Sequence, residues 1–207
     1  AIAETLARHP EINCILKFGR VYPRKSVDIF FQVTNDDGKD VSGMTIRQAN
    51  TKSVETIARE MQAKVDSIRQ KGDPEFQKMK GLFGILPGFL SSWILNFSSL
   101  LMYTLNIWSP LLGSPRDPFG SVMLTNIGSL GLDFAFAPLV PYSKVPMVLA
   151  LGALRDVPIV EGDRIIPAAM VSLCATFDHR LIDGAHASKM CKTMQKIFAD
   201  PEKELGL

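Results

Sequence analysis

Residues 168–199 constrain the possible fold more strongly than any other part of the sequence. Residues 168–177 form an apolar, partly β-branched run of strand length. Residues 184–199 place apolar side chains at helical spacing. Between them lies the string Asp-His-Arg-Leu-Ile-Asp-Gly at positions 178–184. The sequence therefore predicts that His179 lies where a strand turns into a helix, on a rigid scaffold and within reach of a cleft.

His179 and Asp183 are the side chains of this turn that carry chemistry. A histidine presented in this way suits general-base catalysis, which depends first on position and then on pKa. Asp183 precedes the predicted helix, and its carboxylate can accept the free amide hydrogens of the first turn. A plainer interpretation makes His179 a buried, hydrogen-bonded histidine and Asp183 a helix cap alone, since short patterns often arise by chance. The spacing by itself leaves both interpretations open.

The longer string carries a family resemblance. Residues 178–184 match the pattern Asp-His-Arg-x-x-Asp-Gly, and this resembles the active-site motif of dihydrolipoyl acyltransferases, the core subunits of 2-oxo acid dehydrogenase complexes. Residues 123–131 resemble the Ser/Thr-Asn-x-Gly strand and turn of that family, and residues 138–152 resemble its proline-spaced loop and buried strand. The family is related in fold to chloramphenicol acetyltransferase. The resemblance thus implies an α/β two-layer sandwich of mixed sheet and helices.

The resemblance also implies a reaction, the exchange of an acyl group between thiols. His179 would remove the proton from the thiol of coenzyme A or of a dihydrolipoyl group on a partner. Thr125 would donate a hydrogen bond to the tetrahedral oxyanion, an interaction typically worth about 3 kcal/mol of barrier. Asp183 would hold the loop geometry, and Asn126 and Gly128 are expected to contact the substrate. In relatives the site lies between subunits of a trimer, with the histidine and the hydroxyl on neighbouring copies.

Composition agrees with one folded domain and narrows the possible partners. The chain has 207 residues, of which 46% are hydrophobic and 21% charged, and its formal net charge is +2. This charge is too small to indicate nucleic-acid binding. The three cysteines form no C-x-x-C pair, so they are expected to be reduced in an intracellular protein of the cytoplasm or the mitochondrial matrix. No metal site is expected, because the histidines and cysteines lack ligand spacing.

The amino-terminal half predicts elements in the order expected of the family. A short amphipathic helix lies within residues 1–10, strands at 27–34 and 41–48 flank a polar turn at 35–38, and a helix capped by Ser53 runs to about residue 70. Relatives carry roughly one more strand and helix before the point that Ala1 matches. That missing piece supplies an arginine that pairs with the aspartate equivalent to Asp183. The whole chain, 1–207, is thus expected to be a catalytic domain without this piece, either as a fragment or as a protein that covers the same surface in another way.

The largest departure from the family is a predicted hydrophobic insertion at residues 79–118. Residues 81–115 contain no charged side chain. Residues 89–108 are long enough to cross a bilayer, which takes about 20 residues, but serines and asparagines interrupt them. The first interpretation is therefore a set of helices at a membrane interface or on a hydrophobic partner, with Trp93, Tyr103 and Trp108 suited to that boundary. A true membrane span and a contact between subunits are the alternatives.

Three functions remain open. The leading one is a coenzyme A-dependent acyltransferase, in a homotrimer or a higher assembly. If the chain is complete, its acyl-lipoyl substrate would belong to a partner, because the sequence shows no lipoylation hairpin and no flexible linker. The second is a non-catalytic scaffold that keeps the fold and uses the insertion to anchor itself, although such a scaffold has no need of His179. The third is a membrane protein whose function lies in the insertion.

Overall fold

The computed structural model of the chain describes residues 1–34, 41–71, 87–105 and 117–206. The helices are α1 (Ile2–Arg8), α2 (Val54–Lys71), α3 (Gly88–Ser99), α4 (Gly184–Ala199) and α5 (Pro201–Leu205). The strands are β1 (Cys14–Lys17), β2 (Arg20–Pro23), β3 (Ile29–Thr34), β4 (Val41–Ile46), β5 (Val122–Asn126), β6 (Met147–Leu151), β7 (Arg155–Glu161), β8 (Arg164–Met170) and β9 (Leu173–Phe177). A π-helical turn, Leu100–Thr104, continues α3, and 3₁₀ turns lie at Ala49–Thr51, Gly128–Leu130 and Pro141–Ser143.

A mixed five-stranded sheet forms the centre of the molecule. Its strand order is β4-β3-β5-β6-β9. The pairs β3–β5 and β5–β6 are parallel, whereas β4 and β9 run antiparallel to their neighbours at the two edges. Parallel neighbours need long connections, and these connections provide the helices and loops that cover the sheet. The predicted α/β sandwich with a mixed sheet is confirmed.

The two faces of the sheet bury different partners, because successive strand residues point to opposite sides. Val122, Met147 and Leu149 belong to the main core, where side chains of α1, α2 and α4 pack against them. Met123 and Val148, one residue along, belong to a second cluster with residues of the loops that precede β5 and β6. One layer is therefore helical, and the other face is covered by irregular chain.

Several predicted elements have the expected bounds. Helix α4 covers Gly184–Ala199, as its apolar spacing predicted. Helix α2 begins at the predicted cap, where the Ser53 hydroxyl accepts a hydrogen bond from the Thr56 amide at 3.2 Å. Strands β3 and β4 pair antiparallel, with Ile29 opposite Ile46. The predicted turn at 35–38 lies outside the described residues.

Other predictions need correction. The apolar run at 168–177 is not one strand. It divides at Val171 and Ser172, because β8 pairs with β7 in a separate ribbon while β9 joins the central sheet. His9, at the end of α1, is half-buried, with its Nε2 atom 2.8 Å from the Thr193 hydroxyl. The hairpins β1–β2 and β7–β8 were not predicted.

The predicted insertion is described only in part. Residues 79–86 and 106–116, including Trp108, lie outside the described residues. Residues 88–104 form α3 and its π-helical continuation, and their inner end is anchored by Tyr103, which packs against Ile15 and Tyr142. Within the described ranges, no helix combines the length and the apolar character needed to span a bilayer.

Candidate active site

His179 lies on a short turn directly after β9, where the central sheet ends. The last rung of that edge pairs Phe177 with Met147. The Asp178 amide then donates to the Pro146 carbonyl at 2.8 Å, and the Asp178 carbonyl accepts from the amides of Leu181 and Ile182, both at 2.9 Å. The side chains of Leu181 and Ile182 are buried in the main core. The turn is therefore fixed to the body of the protein.

The His179 side chain itself is exposed, at the outer side of this fixed turn. The plainer interpretation of a buried histidine is thus wrong for the chain as a single copy. An exposed imidazole on a rigid backbone can meet a ligand without rearrangement of the fold, which is the first requirement of a general base.

Arg180 and Asp178 form an ion pair that brackets His179. The guanidinium donates through Nε to Asp178 Oδ1 at 2.8 Å and through Nη2 to Oδ2 at 2.6 Å, and the Arg180 amide adds a bond of 3.1 Å to Oδ1. The Arg180 side-chain bond is the main reason that the pKa of Asp178 is lowered. Because Arg180 is largely exposed, the pair contributes on the order of 1 kcal/mol or less to stability. Its geometric effect is to hold the backbone on both sides of the imidazole.

Asp183 caps helix α4, as predicted. Its carboxylate accepts the His186 amide at 2.8 Å, and the His186 ring accepts the Asp183 amide at 3.5 Å, which completes a reciprocal capping box. The pKa of Asp183 is lowered chiefly by the hydrogen bond from the His186 amide, with a smaller contribution from the charge of His179. Asp183 thus fixes the point at which the turn becomes a helix, and it acts electrostatically on the histidine four residues before it.

A small cavity of about 180 Å³ lies beside the turn. Asp178 and Arg180 line it on either side of His179, together with Leu181. Its opposite wall comes from Leu16 of β1 and from residues 139–141, 144 and 145. The hairpin β1–β2, which was not predicted from the sequence, therefore contributes to the surroundings of the candidate base. The Phe18-Gly19 turn, with both residues at positive φ, is the local signal that could have revealed it.

Thr125 lies near the end of β5 and is half-buried. The adjoining turn is held locally: the Asn126 carbonyl accepts the Ser129 hydroxyl at 2.8 Å, and the Asn126 side-chain oxygen accepts the Ser129 amide at 3.3 Å. A side chain at Gly128 would meet the Gly152 carbonyl oxygen at 2.6 Å. Asn126 and Gly128 thus have structural roles in a tight turn, and a contact with substrate remains a prediction.

One copy of the chain keeps Thr125 and His179 apart. Thr125 shares a rung with Ala150, which in turn pairs with Cys174. From Cys174 the strand β9 rises about 10 Å to Phe177 before the His179 turn begins, and two strand spacings add about 9.5 Å across the sheet. The hydroxyl and the imidazole are therefore at opposite ends of the sheet. They cannot both reach one carbonyl group within a single copy.

The described residues contain no group of three or more histidine, cysteine, aspartate or glutamate side chains placed to hold a metal ion. The three cysteines, all within the described ranges, are free thiols.

Sequence comparison identifies the carboxy-terminal part of the chain. Residues 119–205 match the family model described as 2-oxoacid dehydrogenases acyltransferase (catalytic domain). Over 89 residues the chain is 33% identical to the dihydrolipoyllysine-residue acetyltransferase component of the acetoin cleaving system of Bacillus subtilis. This alignment covers 43% of this chain and 22% of that protein. It is 34% identical to the corresponding component of the Bacillus subtilis pyruvate dehydrogenase complex over 82 residues, 40% of this chain and 18% of that protein. The match thus spans about a fifth of the length of these relatives.

Structural comparison covers nearly the whole chain. The dihydrolipoamide acetyltransferase of Azotobacter vinelandii superposes with a TM-score of 0.67 and 21% identity, covering 98% of this chain and 67% of that one. A probable dihydrolipoamide acetyltransferase from Listeria monocytogenes superposes with a TM-score of 0.66 and 20% identity, covering 98% of this chain and 67% of that one. The truncated catalytic core of the 2-oxoacid dehydrogenase multienzyme complex of Thermoplasma acidophilum superposes with a TM-score of 0.59 and 21% identity. That superposition covers 97% of this chain and 72% of the other. The chain has the fold of these catalytic cores, and the resemblance of residues 119–205 to the catalytic domain of the 2-oxoacid dehydrogenase acyltransferase family is confirmed.

Proposed function

We propose that the chain is an acyltransferase domain that moves an acyl group between thiols, with His179 as the general base. The observation that carries this proposal is the exposed imidazole on a turn fixed by backbone hydrogen bonds and a helix cap. Coenzyme A is the expected free thiol or thioester, and a dihydrolipoyl group on a partner is the other. An intracellular location, expected from free cysteines, is part of the same proposal.

The proposed reaction needs only two reactants, the attacking thiol and the thioester. His179 takes the proton of the attacking thiol, and the sulfur forms a bond to the thioester carbonyl carbon. The resulting oxyanion receives a hydrogen bond from the Thr125 hydroxyl. The original carbon–sulfur bond then breaks, and the leaving thiolate takes the proton back from His179. Asp183 is a positioning residue in this scheme, since it holds the start of the helix that follows the His179 turn.

The distance between Thr125 and His179 supports a site shared between two copies. Because the two side chains lie at opposite ends of one sheet, the Thr125 end of one copy would have to meet the His179 turn of its neighbour. A head-to-tail arrangement of this kind forms a ring when the rotation between copies closes, and the homotrimer expected from the resemblance is such a ring. Asn126, exposed beside Thr125, and the Gly128 turn would then face the substrate in the same interface.

Complementation tests this proposal directly. His179→Ala and Thr125→Val are each expected to lower turnover by about 100-fold or more in assays with acetyl coenzyme A and dihydrolipoamide. Co-expression of the two variants should restore activity, because roughly a quarter of the interfaces in a random mixture combine an intact histidine with an intact threonine. Size-exclusion chromatography of each variant serves as the control for assembly. A co-expressed mixture as inactive as either variant alone would contradict the shared site, and an active His179→Ala variant would contradict the mechanism.

A second function is favoured by helix α3, which turns its apolar face outward. Ser91, Leu95 and Ser98 face the body of the protein, and Ser98 lies 3.4 Å from the Tyr142 hydroxyl. The opposite side carries large apolar residues that are 38–76% exposed: Phe89, Leu90, Trp93, Ile94, Phe97 and Leu100. This arrangement supports the interpretation of residues 79–118 as an insertion that attaches the protein to a membrane surface or a hydrophobic partner.

Flotation with phosphatidylcholine vesicles tests this attachment. The full chain should float with the vesicles, and Trp93→Ser combined with Phe97→Ser should not. A matched double variant on the inner side of α3, Ser91→Ala with Ser98→Ala, should float like the unchanged chain. If the outer variant floats equally well, the outward face of α3 does not bind lipid. If the chain floats but has no acyltransferase activity, the anchoring scaffold is the better description.

A further inference from the structure

A second and larger cavity, of about 830 Å³, lies behind the β1–β2 hairpin. Ile15 and Lys17 of β1 line it, whereas Leu16 lines the small cavity beside Asp178. Because neighbouring strand residues point to opposite faces, the two cavities lie on opposite sides of β1. The larger cavity is therefore separate from the immediate surroundings of His179. Its volume is in the range of sites that hold drug-sized or nucleotide-sized ligands.

The walls of this cavity are positively charged on balance. Four basic side chains line it, Lys17, Arg24, Lys25 and Arg47, against two acidic ones, Asp28 and Asp117. The Asp28 carboxylate is already engaged, since it accepts from Arg47 and from the Gln48 amide, both at 2.8 Å. The side chain of Lys25 is exposed. A concave surface with excess positive charge concentrates anions.

Arg24 is a buried cation in the wall of this cavity. Its side chain is only 5% exposed and forms an ion pair with Asp117. It also donates to the carbonyls of Cys14 at 3.4 Å and Lys144 at 3.2 Å. Burial lowers the pKa of Arg24 to about 10, so the guanidinium is still charged at neutral pH. A buried guanidinium with planar donors is well suited to a phosphate group.

Tyr103 supplies an unused donor to the same cavity. It is 3% exposed, and its hydroxyl has no hydrogen-bond partner among the described residues. Burial raises the pKa of Tyr103, so the phenol keeps its proton and can donate. Buried hydroxyls are nearly always paired in folded proteins, and one without a protein partner at a cavity wall indicates a ligand contact. The apolar side chains of Ile15, Phe18 and Tyr22 complete the lining.

We propose that this cavity binds a phosphorylated ligand of nucleotide size. The phosphate lies between Arg24, Lys25 and the Tyr103 hydroxyl. The planar or apolar body of the ligand rests on the hairpin side chains. This site is additional to the acyl-transfer site, and its binding does not depend on turnover. Because β1 separates this cavity from the surroundings of His179, the ligand is a free nucleotide and not the nucleotide end of the thiol substrate.

Calorimetric titration of the full chain tests the site with three probes: adenosine 3′,5′-bisphosphate, ATP and adenosine. ATP should bind, more weakly as salt is added and more tightly than the bisphosphate, and adenosine should not bind. Tighter binding of the bisphosphate would assign the cavity to the nucleotide end of the thiol substrate and would overturn the proposal of an additional site. Failure of both phosphorylated probes to bind would overturn the proposal, whatever the acyltransferase assay shows.

Two variants locate the ligand. Lys25→Glu, at the exposed mouth, should weaken binding at least about tenfold, whereas Lys192→Glu, an equal charge change on the exposed side of α4, should not. Tyr103→Phe should weaken binding roughly fivefold or more without lowering the thermal midpoint of the free protein, because it removes an unpaired hydroxyl. Equal losses in both lysine variants would mean non-specific attraction. A Tyr103→Phe variant that is less stable but binds normally would show that the hydroxyl serves the fold, and either result overturns the assignment.

Discussion

The two ends of the central sheet carry turns of opposite character. At one end, the turn after β9 presents an exposed imidazole, and its own backbone is tied down by Pro146 and by an aspartate–arginine pair. At the other end, the turn after β5 packs so closely on the next loop that Gly128 has no room for a side chain. The turn after β9 leaves space for a ligand beside the His179 side chain. The turn after β5 leaves almost no space between Gly128 and the Gly152 carbonyl. The candidate base thus lies at the open end of the sheet, and the Thr125 hydroxyl lies at the densely packed end.

The largest effect is expected at the His179 end. His179→Ala should lower the acyl-transfer rate by at least about 100-fold, since it removes the group that accepts the thiol proton. Arg180→Ala, which leaves the imidazole in place, should lower the rate less than about tenfold, because the pair it breaks is exposed and weak. Steady-state assays with acetyl coenzyme A measure both. Equal losses in the two variants would show that the turn conformation, and not the imidazole, limits the rate.

At the other end, Thr125→Val should lower the acyl-transfer rate by about 100-fold, with little change in KM, because the hydroxyl acts on charge that appears only in the transition state. Thr125→Ser retains the hydroxyl and should keep most of the activity. A large rise in KM with unchanged kcat in Thr125→Val would assign the hydroxyl to substrate binding. That outcome would remove the proposed oxyanion contact.

Gly128→Ala tests the packing of the same end. A methyl group there would lie 2.6 Å from the Gly152 carbonyl oxygen, so the loops must separate. The expected loss is about 1–3 kcal/mol of unfolding free energy, measured by urea denaturation. Gly184→Ala is the matched control, since its added methyl group meets nothing within 4 Å and α4 begins there. Equal stability of the two variants would contradict the close packing at Gly128.

The smallest effect concerns the cap beside His179. Asp183→Ala should lower the thermal midpoint at neutral pH, and Asp183→Asn should lower it less, because asparagine also caps helices but carries no charge. The pKa of Asp183 is lowered in the folded state from its ordinary value of 3.8, so its contribution to stability is present above that pH and is lost as the pH falls below it. The difference between the unchanged chain and Asp183→Ala should therefore shrink in acid. A constant difference across pH would mean that the carboxylate charge has no part in the cap.

The His179 end could be predicted from the sequence because its signals are local. The apolar spacing of α4, the aspartate at its start and the histidine four residues earlier all lie within one strand–turn–helix unit. The cap of α2 at Ser53 was predicted for the same reason. Local hydrogen bonds and one-sided apolar spacing depend on few distant residues.

The parts that the sequence did not predict depend on tertiary contacts. The run 168–177 is apolar apart from Ser172 and Thr176, and only the pairing of β7 with β8 and of β6 with β9 divides it at Val171 and Ser172. The hairpin β1–β2 is short, and the strand β2 is exposed along its length. No alternation of buried and exposed residues therefore marks β2 as a strand. The direction in which α3 turns its apolar face was likewise unpredictable, because serine and leucine together form its inner side.

The close approach at Gly128 has a mechanical consequence. A side chain at Gly152 would in turn meet the carbonyl oxygen of Asp133, and the Gly152 amide donates to Ser172, where the chain leaves the β7–β8 ribbon for β9. Main chain therefore touches main chain at successive points, with no rotatable side group between them to absorb a shift. Any displacement of the turn beside Thr125 is passed on to the base of the ribbon, so these distant segments behave as one stiff joint.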